Sequence, residues 1–221
     1  MTPADPSTEP RAPLSRDRVL QAAIRLADEG GIESLSMRKL GQALGVEAMS
    51  LYNHVERKDD VLAGILALVL GEIEPPPPAV HWKAALRQTA VSAHDVLVRH
   101  PWACNLMHSP AAASPHRLRW MDAVLGTLRE AGFSPELTHH AYHALDSHIT
   151  GFTMWQVSID VRPEDVAALG AAFLRELPPD FPYLAEHVEQ HLAPSSPDGK
   201  TEFEFGLDLI LDGLETMLDA E

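Results

Sequence analysis

Apolar residues recur at helical spacing along most of this chain and almost nowhere in strand-like alternation, so the pattern predicts an all-α fold. Val19, Ala23, Leu26 and Ala27 form a first stripe. Ser15 opens it as an N-cap, Leu14 and Val19 are placed as a hydrophobic staple, and Gly30-Gly31 closes it. Met37, Leu40, Ala43 and Leu44 form a second stripe behind the N-cap Ser36. It should stop at Gly45, which takes the left-handed conformation without a Cβ penalty. A third helix begins near Glu47, with Leu51 and Val55 on one face and Ser50, Tyr52, Asn53 and His54 pointing elsewhere. A fourth begins around Lys58, with Asp59 and Asp60 in the first turn, where the helix dipole favours carboxylates. Its interior, VLAGILALVLGEI, is apolar almost all round and needs cover on several sides, which suits a helix joining two domains.

Pro75 to Pro78 end that helix and mark a domain boundary. Beyond it the spacing predicts helices at 81–99, 102–108 and 115–132, then a long one opened by Ser134-Pro135 and running to Ile159. Pro163 opens another to Leu177, a short one fits Leu184–Leu192, and the last runs from Thr201 to Leu218. Ala141, Leu145, His148, Phe152, Trp155 and Ile159 make a broad stripe on the long helix. Phe203, Leu207, Ile210, Leu214 and Met217 make another on the last, with Gly206 and Gly213 one heptad apart. Two such seams suit either the core of one chain or a four-helix bundle shared by two chains.

Charge changes the picture only when it is divided. The formal net charge is −15, yet residues 1–58 hold eight basic and eight acidic side chains, leaving nine basic against 24 acidic in the remainder. The body should repel a polyanion, and the N-terminal end is the face on which one could dock. A single cysteine, Cys104, excludes an intramolecular disulfide framework and reads as a small buried hydrophobe. No apolar run has the length of a membrane span and the N-terminus lacks a basic-then-apolar signal, so a cytoplasmic protein with no membrane partner is expected.

Helix, tight turn, and a helix showing hydroxyl, amide and imidazole groups is the pattern of a helix-turn-helix DNA reader. From Leu14 to Ile65 the chain resembles the DNA-binding domain of the TetR family of bacterial transcriptional regulators. The matching residues are VLQAAIRLADEGG, then S-x-R-K-L-G-x-A-L-G-V, then L-Y-x-H-V followed by K-D-D-V-L. ALDSHITGF and FEFGLDLILDGLE are similar to the C-terminal domain of the tetracycline-repressor class. The layout expected is an arm at 1–13, predicted disordered, a helix-turn-helix domain at 14–58, a connecting helix at 59–74, and a ligand-binding and dimerisation domain at 79–221.

The resemblance implies that Ala48, Met49, Ser50 and Asn53 lie near base edges and that Tyr52, His54 and Lys58 lie against phosphates, with Arg38 able to reach either. Arg11 and Arg16 could add an arm contact to a phosphate or the minor groove, or the arm could be a solvated tail. Arg57 stands where the family often has a capping Ser or Asn, leaving the fourth helix to its acidic first turn. The resemblance also implies a homodimer joined through the last long helices, with Leu145, Phe152, Leu207, Ile210 and Leu214 at the seam. It implies a pseudo-palindromic duplex operator and a small-molecule effector that releases a repressor from it. Trp102, Met107, His108, Trp120, Met121, His148 and Trp155 are the residues able to line a pocket for an aromatic or amphipathic effector.

Two further chemistries lack their motifs. His139 and His143 stand i, i+4, with His140 and His148 nearby and His94, His100 and His108 elsewhere, but no H-E-x-x-H or Cys/His cluster completes a metal site. The chain has neither a G-x-S-x-G elbow nor a glycine-rich phosphate loop. Neither cofactor, metal nor catalytic residue is expected. The alternative reading is a helical enzyme or metal-dependent binding protein carrying an accessory DNA-binding-like domain.

Overall fold

The structure, a computed structural model, describes residues 13–107, 114–159, 163–191 and 201–221. Among them are eleven α-helices, one 3-10 turn and no strand. The helices are α1 Arg16–Gly30, α2 Met37–Leu44, α3 Ala48–Leu51, α4 Lys58–Leu70, α5 Trp82–Arg99, α6 Trp102–Leu106, α7 Pro115–Glu130, α8 Pro135–Ser158, α9 Pro163–Glu176, α10 Pro182–His191 and α11 Glu202–Leu218. The all-α expectation holds. Residues 1–12 of the predicted arm at 1–13, and the predicted helix ends at His108 and Leu192, lie outside the described residues.

Local chemistry sets most helix starts. Ser15, Ser36, Ser134 and Thr201 each accept a backbone N–H three residues on. Thr201 completes a capping box with Glu204, whose carboxyl is held below its usual range by the Thr201 backbone N–H and then by Arg87. A short 3-10 turn at Ile32–Ser34, which the apolar spacing does not announce, links α1 to α2.

The chain folds as two compact units, one of residues 1–74 and 95–122, the other of residues 75–94 and 123–221. The first unit therefore takes in 95–122, which the sequence reading had placed with the C-terminal domain. Within it α1 packs on α2 and α4, α2 on α3, and α4 on α6. Val19, Leu40, Leu51, Val61, Ile65, Leu66 and Val69 are buried there, as are Ala103 and Cys104 on α6. Each large aliphatic side chain so buried contributes roughly 1.5–3 kcal/mol. Burial pushes the Cys104 thiol up to about 11, which leaves it protonated and inert at neutral pH.

In the second unit α11 packs along α8, and Phe133, Leu128, Phe203, Leu207 and Leu211 are buried. Lys83 and Arg87, one turn apart on α5, face the acidic side of α11. Lys83 pairs with Asp212 at 2.7 Å and Glu215 at 2.5 Å, and Arg87 with Asp208 at 2.8 Å and Glu204 at 3.0 Å. The Phe203 ring lies parallel to two imidazoles, His94 at 3.9 Å and His148 at 4.9 Å between centroids. The pair α9 and α10 pack on each other.

The seam assignment needs correction. Leu145, Leu207 and Leu214 are buried within the single chain, and half-buried Phe152 makes ring contacts with His94, His148, Phe203 and Trp155 of the same chain. Ile210, the fifth proposed seam residue, is half-buried. Helical spacing identifies a face but not its partner. The exposed apolar side chains of these helices are others: Met154, Trp155 and Val157 on α8, and Phe205, Leu209 and Met217 on α11.

Candidate nucleic-acid interface

The reader is built from α2, a tight turn and α3. Gly45 ends α2 in the left-handed conformation at φ 67°, and Gly41 makes the close approach possible. A Cβ at Gly41 would stand 2.8 Å from the Val46 carbonyl oxygen and 3.2 Å from the Ala48 nitrogen. The sequence motif contained Gly41, but only the geometry shows why a side chain is excluded there.

Helix α3 is shorter than its sequence pattern suggested. It spans Ala48–Leu51, and the chain then tightens into i→i−3 hydrogen bonds: Tyr52 N–H to Met49 at 3.3 Å, Asn53 N–H to Ser50 at 3.4 Å and His54 N–H to Leu51 at 2.9 Å. Tyr, Asn, His and Val are all weak helix formers, and the Val55 N–H, 3.1 Å from the Leu51 carbonyl, makes an i→i−4 bond after them. Asn53 and His54 therefore project from a turn that continues the helix. Leu51 and Val55 are buried and anchor the segment from below. Met49 is 74% exposed and Tyr52 44%, with Asn53, Lys58 and Arg38 also exposed and Ala48, Ser50 and His54 half-buried. Met49 thus stands open to solvent, flanked by amide, phenol and ammonium groups.

Arg16, suggested as an arm contact, has partners within the chain. Its guanidinium grips both oxygens of Asp60 at 2.8 Å each and reaches the His54 carbonyl at 3.4 Å. Asp60 in turn accepts the Glu56 backbone N–H at 3.1 Å. That bond ties the residue before the N-cap to the first turn of α4, whose own N–H groups receive no side-chain cap from Arg57. The Arg16 hydrogen bond holds the Asp60 carboxyl below its usual range, and the same bond raises the Arg16 guanidinium. Residues 44 apart in sequence carry no local signature of this pairing, and sequence reasoning missed it.

The predicted effector residues divide between the two units. Trp102 and Met107 are buried and Trp120 and Met121 half-buried in the first, while His148 is half-buried and Trp155 exposed in the second. His108 lies outside the described residues. Two of the pool already have polar partners: the Trp102 indole N–H donates to Asp28 at 2.7 Å, and His148 Nε2 donates to the Phe203 carbonyl at 2.9 Å. Among the described residues no group of three or more His, Cys, Asp or Glu could hold a metal ion. Nor is any described helix long and apolar enough to cross a membrane.

Comparison with known proteins gives matches over nearly the whole length. Residues 19–65 fit the family described as "Bacterial regulatory proteins, tetR family", and residues 74–218 fit the "Tetracyclin repressor-like, C-terminal domain". The HTH-type transcriptional repressor DrrR1 of Streptomyces coeruleorubidus is 32% identical over 96% of this chain and 82% of its own length. The class D tetracycline repressor protein of Escherichia coli is 29% identical over 95% of this chain and 93% of its own. Among solved structures, the TetR family protein ActR of Streptomyces coelicolor in complex with actinorhodin superposes with a TM-score of 0.72 at 27% identity, covering 94% of this chain and 99% of that one.

Proposed function

The chain belongs to the TetR family of bacterial transcriptional regulators, and on that premise we propose that it is a cytoplasmic repressor that leaves its operator when a small molecule binds. Family members are DNA-binding regulators, and relatives named as repressors, together with a solved relative holding a small molecule, support the finer reading. The observation that carries it is the open face of Met49, Tyr52 and Asn53 on a segment anchored by Leu51 and Val55 behind the Gly41 and Gly45 turn.

In this reading two copies each place α3 in successive major grooves of a pseudo-palindromic duplex. Ala48, Met49, Ser50 and Asn53 read base edges, Tyr52, His54 and Lys58 hold phosphates, and Arg38 serves either. The copies meet through the exposed apolar side chains of α8 and α11 rather than through Leu145, Leu207 and Leu214. On α11 these are Phe205, Leu209 and Met217, which step by four with Gly213 between them, and outside the adjoining residues and backbone of α11 itself no heavy atom comes within 4 Å of where a Gly213 Cβ would stand. An aromatic or amphipathic effector acts by its differential affinity for the DNA-bound and released states. Selection of duplexes from a randomised pool by the full chain, followed by footprinting, tests this. A two-fold-symmetric protected site is expected, and recovery of no preferred sequence would refute it.

A further inference from the structure

The corner between α5 and α6 is tied to the far end of α1 by one carboxylate oxygen. Asp28 Oδ1, in the last turn of α1, accepts the Trp102 indole N–H at 2.7 Å and is 2.8 Å from His100 Nδ1. Carbon packing surrounds this link. Trp102, Ala103 and Cys104 are buried, as is Ala27 beside Asp28, while the Asp28 side chain retains 30% exposure. From the other side Glu72, just past α4, pairs with Arg99 at 3.0 Å and stands 3.9 Å from His100 Nε2. The corner is thus gripped by α1 and by the end of α4, and all these residues belong to the same compact unit as the reader.

Arg16, twelve residues back on α1, holds Asp60 and the carbonyl of His54 at the end of the reader. Twelve residues of α-helix amount to a stiff rod of roughly 18 Å. One end of α1 therefore meets the α5–α6 corner through Asp28, and the other meets the DNA-reading segment through Arg16. We infer that Asp28 is a positioning residue for DNA recognition: through its bonds to Trp102 and His100 it fixes α1 against the corner, and α1 passes that setting to the reader. Trp102, which the sequence suggested as a pocket wall, is on this reading a strut with its polar edge turned to the head. The inference rests on the DNA-reading function proposed above.

The test uses the full chain, a duplex selected by the wild-type protein and a random-sequence duplex of equal length, with melting midpoints taken in parallel. Asp28→Ala should lower the ratio of selected to random affinity about ten-fold or more, the scale of hydrogen bonds to a charged acceptor. Asp28→Asn, whose amide oxygen can still accept the indole N–H, should restore much of that ratio. Trp102→Phe should lower the ratio as well, and the double variant Asp28→Ala/Trp102→Phe should be little worse than Asp28→Ala alone, showing strong non-additivity. An unchanged ratio in Asp28→Ala with only a lowered midpoint would make Asp28 merely structural and overturn the proposal. If Asp28→Ala does not fold, an unchanged ratio in Trp102→Phe overturns it instead. A wild-type chain that selects no duplex would bring down the DNA-reading function, a result distinct from variants that match a binding wild type.

Discussion

Arg16 holds Asp60 by both carboxylate oxygens, each 2.8 Å from a guanidinium nitrogen, and so closes α1 onto the start of α4. The Asp60 side chain is 30% exposed and that of Arg16 45%, so solvent screens the pair. Its contribution is about 1 kcal/mol at most.

The pair makes the head acid-sensitive in a definite direction. Because the folded-state Asp60 carboxyl is held below its usual range by Arg16, its contribution is fully present above the unfolded value of about 3.9 and is lost as pH falls through the folded value. Chemical denaturation of wild type and Asp60→Asn should differ at pH 7 and converge as the pH falls through the lowered folded-state value. A constant difference across that range would refute the role of the Arg16 pair.

Gly41 tests the turn. Gly41→Ala forces a methyl to 2.8 Å from the Val46 carbonyl, a backbone atom that cannot swing away. Urea titration should show a loss of about 1–3 kcal/mol, as overpacking typically costs. Selected-duplex affinity should fall further than stability alone explains, since the displaced atoms carry α3.

Base reading and phosphate contact separate by salt. Lys58→Ala should weaken every duplex alike and reduce the salt slope by about one unit. Met49→Ala or Asn53→Ala should change preference at particular positions and leave the slope alone. Titration against single-position duplex variants distinguishes them, and uniform loss in Asn53→Ala would remove Asn53 from the reading set.

On α11 two neighbours should behave oppositely. Leu209→Glu, at an exposed position, should give monomers with intact helices by light scattering and circular dichroism. Leu207→Ala, at a fully buried one, should cost about 2–5 kcal/mol of folding stability without specifically dissociating copies. A dimeric Leu209→Glu would move the seam elsewhere.

Most helix boundaries were legible because they rest on local chemistry: Ser15, Ser36, Ser134 and Thr201 at helix starts, Gly45 as a stop, and prolines at 135 and 163 opening helices. The reader was legible for the same reason, since its turn and its polar face lie within a few residues. What depended on partners distant in sequence was not. Spacing placed Leu145, Leu207 and Leu214 correctly on one face each, yet could not tell an intrachain neighbour from a second copy. Arg16 with Asp60, and Asp28 with Trp102, join residues 44 and 74 positions apart, and only packing brings them together. The short α3 was missed because weak helix propensity was outweighed in the reading by a persuasive apolar pattern.

The four tryptophans occupy graded surroundings, with Trp82 and Trp102 buried, Trp120 half-buried and Trp155 56% exposed beside Phe152. The intrinsic emission of the chain is therefore a built-in optical gauge. Iodide should reach the red-emitting Trp155 in a dilute monomer and spare the blue-emitting buried pair. If copies join across the exposed faces of α8 and α11, raising the protein concentration should shift emission to the blue and shut out the quencher, so a single cuvette can follow assembly without a label.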